Sequence, residues 1–210
     1  MKRSFVIAIS FTFVLFALLL IPLDGKVDNT FLFFLGRFHP IILHLPIGAL
    51  MVLLLMEIIN KFHPKLNLDP ACKILLWFSV LSIIPTITLG FLLASSGSYD
   101  DELLNFHKWL GWFTALICVW LVVIRQKKLR QSNTGQSRFY YFFLSINVAL
   151  LSLAGHYGGY LTHGEDYLTK YMPLAMKNFL KIDNVKDQYL AINTEIDSAS
   201  KEALYFKNTI

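Results

Sequence analysis

Five long apolar runs, nearly free of charge, set the limits on what this chain can become. They cover Phe5–Leu23, Pro40–Asn60, Ala71–Ala94, Trp109–Ile124 and Phe139–Leu161. A hydrocarbon core about 30 Å thick is crossed by roughly 20 apolar residues in a helix. Backbone groups in lipid must be satisfied within the segment, so each run is read as helix. The sequence predicts an all-α membrane protein with five transmembrane helices, spans two to five forming a four-helix bundle. Composition agrees, with 55% hydrophobic residues, 16% charged and a mean hydropathy of +0.53. At 210 residues the chain has room for one membrane domain.

Basic residues report topology here rather than a nucleic-acid partner. The net charge is +5, but Lys and Arg sit between the apolar runs instead of clustering on one polar face. Lys2, Arg3, Lys61, Lys65, Lys73, Arg125, Lys127, Lys128, Arg130 and Arg138 fall in segments on one side of the five spans, against Lys26, Arg37 and Lys108 on the other. Basic residues are retained in the cytoplasm. The expected arrangement is a bacterial inner membrane protein, multi-pass, with a cytoplasmic N-terminus and a periplasmic C-terminus.

Three regions follow. Residues 1–23 read as a signal-anchor helix, because Ile21-Pro22-Leu23-Asp24 lacks a small-x-small cleavage pattern. Residues 24–161 form a four-span bundle containing histidines, and 162–210 an extracytoplasmic tail with a modest helical segment. The segment Gln126–Ser137 reads as a polar, basic connection. No repeat or low-complexity tract stands out. Cys72 and Cys118 make neither CxxC nor CxxCH, so they encode no zinc ribbon and no covalent haem, and are read as buried thiols.

Topology places His39, His44, His107, His156 and His163 on the non-cytoplasmic side, and His63 opposite. His44 lies a turn inside span two and His156 a similar depth inside span five, so both are expected about 6–8 Å below the surface. Neutral imidazoles on facing helices of a bundle ligate b-type haem iron without a local signature. His44 and His156 are therefore the first candidate pair for haem iron, with His107 as replacement. His39, His107 and His163 form a candidate upper layer, and Arg37 is a candidate for a haem propionate or lipid phosphate. The cofactor expected is haem b, one or two; the alternatives are none, or a transition-metal ion. Interfacial histidines also serve as hydrogen-bonding belt residues, which is the plainer reading. Glu57, one turn from Lys61, reads as an end-of-helix ion pair. No nucleophile and base stand in catalytic order.

The segments Gly36-Arg37-Phe38-His39-Pro40-Ile41-Ile42-Leu43-His44-Leu45-Pro46-Ile47-Gly48, His107-Lys108-Trp109-Leu110-Gly111 and Gly155-His156-Tyr157-Gly158-Gly159-Tyr160-Leu161-Thr162-His163-Gly164 resemble an uncharacterised bacterial multi-pass membrane domain. Its members often stand ahead of a c-type cytochrome domain, and the likeness covers roughly residues 30–172. The resemblance implies association with periplasmic electron transfer. With no CxxCH in this chain, a c-type cytochrome partner is expected on a separate polypeptide. The expected function is a membrane electron-transfer subunit. The alternatives are a non-redox anchor or assembly subunit of a larger complex, and a metal-ion binding or transport protein.

The basic asymmetry predicts that a reporter active only outside the cytoplasm works when fused after Ile210 and is silent when fused at Asn133. The opposite pattern reverses the orientation.

Overall fold

The computed structural model describes residues 2–20, 29–131, 134–164, 167–180 and 193–198. Five helices in it are long and apolar enough to cross a membrane. The chain divides into two compact units, 1–165 and 166–210. Within the second, described residues form α8 (Leu174–Leu180) and a short helix at 193–198. Val185 and Leu190 of the expected tail helix, and residues 21–28 at and after the end of the expected signal anchor, lie outside the described residues.

The first span is α1 (Lys2–Leu19). The second is broken into α2 (Thr30–Gly36), α3 (His39–Ile42) and α4 (His44–Phe62). Asn29 opens α2, its Oδ1 accepting from the amides of Phe31 and Leu32 at 3.0 and 3.2 Å. Pro40 and Pro46 supply no amide hydrogen, so two helical hydrogen bonds are missing where the span breaks. Around Arg37 and Phe38 the amides reach back three residues, to Phe34 and Leu35, tightening the turn. The span therefore starts ten residues before the apolar run does.

α5 (Asp69–Ser95) returns from α4 through a 3-10 turn over Pro64–Leu66. Asn67 there takes a left-handed conformation (φ 47°), which Asn tolerates well. Asn60 Oδ1 accepts from the amide of Leu68 at 3.0 Å, tying the turn to the end of α4. α6 (Asp101–Gln131) and α7 (Thr134–His163) form the second hairpin. α6 corrects two expectations. The fourth span is not Trp109–Ile124 but a helix of 31 residues, and the basic stretch after Ile124 is mostly helix rather than loop. At the start, Asp100 caps the amide of Leu103 at 2.9 Å and Asp101 and Glu102 occupy the first turn, where carboxylates favour the helix dipole. At the far end Arg125 and Lys128 are held by partners inside the bundle.

Those partners revise the reading of Glu57. It is fully buried and pairs not with Lys61 but across the bundle. Its Oε1 accepts from Arg125 Nε at 2.7 Å and from Tyr140 Oη at 3.0 Å, and its Oε2 accepts from Lys128 Nζ at 2.8 Å. Arg125 Nη2 reaches Asp69 Oδ1 at 2.7 Å. Lys61 lies over the Tyr141 ring instead, 5.3 Å from its centroid.

The two hairpins, α4–α5 with α3 and α6–α7, correspond at an offset of 68 residues, a repeat that the apolar pattern does not announce. Phe38, His39, Leu53, Leu76, Val80, Gly90 and Leu93 match Phe106, His107, Leu121, Leu144, Val148, Gly158 and Leu161. The contacts carry the relation better than the identities do. α4 packs on α5, α5 on α6, α6 on α7 and α7 on α4, as a pseudo-two-fold ring requires. The core is layered accordingly. At the hairpin-turn end, Glu57 meets its counterpart Arg125, flanked by Cys72 and its counterpart Tyr140. One turn further in, Leu53, Leu121, Leu76 and Leu144 make a fully apolar layer, each 0–2% exposed. Next come Leu50, Cys118, Ser79 and Asn147, all 0–1% exposed. α1 lies against α6, its Leu15 carbonyl accepting from Trp112 Nε1 at 3.2 Å and its Ser4 hydroxyl from Gln126.

Removing one member of a buried ion pair leaves a charge without its counterion, a loss of about 3–5 kcal/mol. Glu57→Ala is expected to destabilise the bundle by that order in thermal or denaturant unfolding. Glu57→Met combined with Arg125→Met and Lys128→Met is expected to recover most of it. A triple variant as unstable as the sum of the single ones would show that the charges themselves are indispensable.

Candidate functional site: paired histidines against glycine notches

At the end of the bundle opposite the ionic layer, two histidines repeat one arrangement. His39, at the start of α3, has Nδ1 2.9 Å from the Thr86 carbonyl oxygen of α5. His107, in α6, has Nδ1 2.8 Å from the Ala154 carbonyl oxygen of α7. A carbonyl only accepts, so Nδ1 carries the hydrogen in both, and the neutral ring keeps its lone pair on Nε2. Nε2 of each has no hydrogen-bond partner among the described residues. Both rings are partly buried.

Glycine makes this approach possible. One turn beyond each accepting carbonyl stands a glycine, Gly90 in α5 and Gly158 in α7. A Cβ at Gly90 would lie 3.0 Å from Cε1 and 3.2 Å from Nδ1 of His39; at Gly158 the same two distances separate it from His107. A Cβ there would make the ring give way by a few tenths of an ångström, and a larger side chain by more. Gly36 serves the same end differently: a Cβ on it would meet the backbone nitrogen of Leu93 at 2.6 Å, so α2 lies directly on the last turns of α5. Each histidine follows a phenylalanine whose ring is also engaged. Phe38 packs edge-on with Phe34, centroids 5.3 Å apart, and Phe106 stacks on Tyr157 at 5.4 Å.

The other candidates are placed differently. His44 is exposed, and its Nδ1 donates to the Pro40 carbonyl one turn back in its own span. His156 is half-buried among aromatic rings, 4.3 Å from the centroid of Tyr160 and 5.8 Å from that of Tyr157. No hydrogen bond or ring contact joins His44 to His156 among the described residues. α7 continues through Gly158 and Gly159 to His163, which is exposed at its last residue. Arg37 is exposed at the break between α2 and α3. His63 is exposed in the turn after α4, at the opposite end. Among the described residues no three His, Cys, Asp or Glu side chains gather as a metal-holding group. The arrangement offers two imidazole nitrogens with free lone pairs, one per hairpin.

Depth along straight helices selects His44 and His156; the glycines select His39 and His107. The signal was present in the sequence as Phe-His followed 51 residues later by Gly, twice.

No curated protein and no solved structure matches this chain. A family model described as predicted membrane protein (DUF2231), a domain of unknown function, matches residues 37–166, from the break before α3 to just past the end of α7. The match spans both hairpins and every histidine discussed above, and the chain belongs to that family.

Proposed function

We propose that the chain is a membrane electron-transfer subunit that holds b-type haem through histidines at the end of the bundle bearing His39 and His107, and that works with a c-type cytochrome or another subunit of a membrane complex. The observation that supports this most is the tautomer: two imidazoles, on opposite hairpins, each with Nδ1–H fixed by a backbone carbonyl and Nε2 without a partner. A carbonyl on the far nitrogen is how proteins orient a histidine that ligates through the near one. The donor set fits haem: two neutral imidazole nitrogens, a ligand type that holds haem iron, with no three His, Cys, Asp or Glu side chains gathered among the described residues.

On this reading His39 and His107 would hold the haem iron, and Gly90 and Gly158 set where their rings lie. His44 and His156 are the second candidate pair. Arg37, exposed two residues before His39, would offer its guanidinium to a carboxylate or phosphate at that surface. Haem, when bound, supplies a one-electron iron couple. With the basic residues in the cytoplasm, the site faces the periplasmic side of an inner membrane, where a separate c-type cytochrome has access to it.

A reduced-minus-oxidised spectrum of the purified protein tests this. A b-type band is expected, lost in His39→Ala and in His107→Ala and unchanged in His63→Ala. Each substitution removes one neutral hydrogen bond, about 1 kcal/mol, so the variants still insert. Gly158→Val is expected to weaken the band by displacing the His107 ring. Loss in His44→Ala and His156→Ala, with His39→Ala and His107→Ala normal, would transfer the ligands to the second pair. A wild-type protein reconstituted with haem and showing no band would leave a non-redox membrane subunit.

A further inference from the structure

Asn147 is fully buried in α7, and neither its Oδ1 nor its Nδ2 has a hydrogen-bond partner among the described residues. An amide left so in an apolar interior loses its hydration without replacement, and buried polar groups in membrane helices mark functional positions more often than not. Its counterpart in the first hairpin shows that the layer does not demand an amide. Ser79 is equally buried and satisfies itself, its hydroxyl donating to the Leu75 carbonyl at 2.9 Å. Asn147 presents a donor pair and an acceptor that its own helix does not use.

The surroundings of Asn147 differ on its two sides. Toward the hairpin-turn end, the next layer is the four leucines, Leu53, Leu121, Leu76 and Leu144, with no polar side chain among them. Toward the histidine end, α5 carries a ladder of hydroxyls. Ser82 donates to the carbonyls of Phe78 and Ser79 at 2.8 and 3.0 Å, and Thr86 donates to that of Ser82 at 2.7 Å. The carbonyl of Thr86 in turn accepts from His39. Thr114 of α6, 5% exposed, donates to the Leu110 carbonyl at 2.8 Å. Every one of these hydroxyls spends its hydrogen on its own helix and keeps acceptor lone pairs. From Asn147 to Ala154, whose carbonyl holds His107, is seven residues, about 10 Å along the helix.

We propose that this layer is a hydration site: Asn147 holds ordered water, which exchanges with solvent at the histidine end past the hydroxyls of α5, while the leucine layer closes the bundle toward the ionic cluster. The ligand class is water, bound through an amide donor and acceptor, with hydroxyl lone pairs as further partners. The interior is thus a half-path open at the histidine end, admitting water as far as the Asn147 layer and no further. This holds whatever the histidines bind.

Cys118 lies in the same layer and is fully buried, which makes it a native probe. X-ray radiolysis of the protein in lipid nanodiscs generates hydroxyl radicals from bound water, and mass spectrometry reads the side chains they modify. In the wild-type protein, Cys118 is expected to be oxidised within the dose that modifies exposed Tyr171. In Asn147→Leu its oxidation is expected to fall several-fold, with Tyr171 unchanged. A wild-type Cys118 left unmodified at that dose overturns the proposal, and so does equal oxidation in Asn147→Leu. Should Asn147→Leu fail to insert, the wild-type reading alone decides. Neither outcome depends on a haem spectrum, so failure here is separate from failure of the electron-transfer reading.

Discussion

A carboxylate buried among helices that cross a membrane must find its counterions within the protein, and Glu57 finds them on the other hairpin. This one requirement fixes much of the rest. Arg125 and Lys128 can reach Glu57 only if α6 stays helical well past its apolar run, so a stretch that is basic enough to be a loop becomes the last turns of a long helix. Tyr140 brings the start of α7 to the same point, and Asp69 the start of α5. Four helices are thereby set in register at one end, and the leucine layer above them follows from that register at intervals of one turn.

The opposite end is joined by a different and milder interaction. No ion pair ties the hairpins at the histidine level among the described residues; each hairpin is closed on itself by an imidazole donating to a carbonyl. Such a bond is worth about 1 kcal/mol, against several for leaving half of the ionic cluster unpaired. The bundle is therefore pinned at one end and comparatively free to adjust at the other.

The spans were legible because hydrophobic length is a local property, and all five appear where the apolar runs place them, apart from their ends. The ends were missed for reasons outside each run. The second span begins early because α2 is apolar and rests on α5 through Gly36, and the fourth is extended at both ends by caps and distant counterions. Sequence spacing points Glu57 to Lys61, four residues away, whereas its partners are 68, 71 and 83 away. Depth on straight helices sorts the histidines one way, but the second span is broken between His39 and His44, and depth alone does not say which ring has a notch to enter. Gly90 and Gly158 carry that information, and they become readable only once the two hairpins are aligned.

The alignment also explains why some positions stayed alike and others did not. On a two-fold axis a residue meets its own counterpart, so it must be compatible with itself. Two glutamates or two arginines in contact in a low-dielectric interior repel strongly, and the first layer is possible only because one hairpin carries Glu57 and the other Arg125. Leucine meets leucine without penalty, and the second layer is Leu53, Leu121, Leu76 and Leu144. Neutral imidazoles with the same nitrogen protonated do not repel either, and His39 and His107 are identical, down to the residue before them and the glycine each rests on. Two identical chains paired about a true axis would share the leucine and histidine layers but not the ionic one. Joining the hairpins in one polypeptide is what lets the structure be symmetric where it presents histidines and asymmetric where it must neutralise charge.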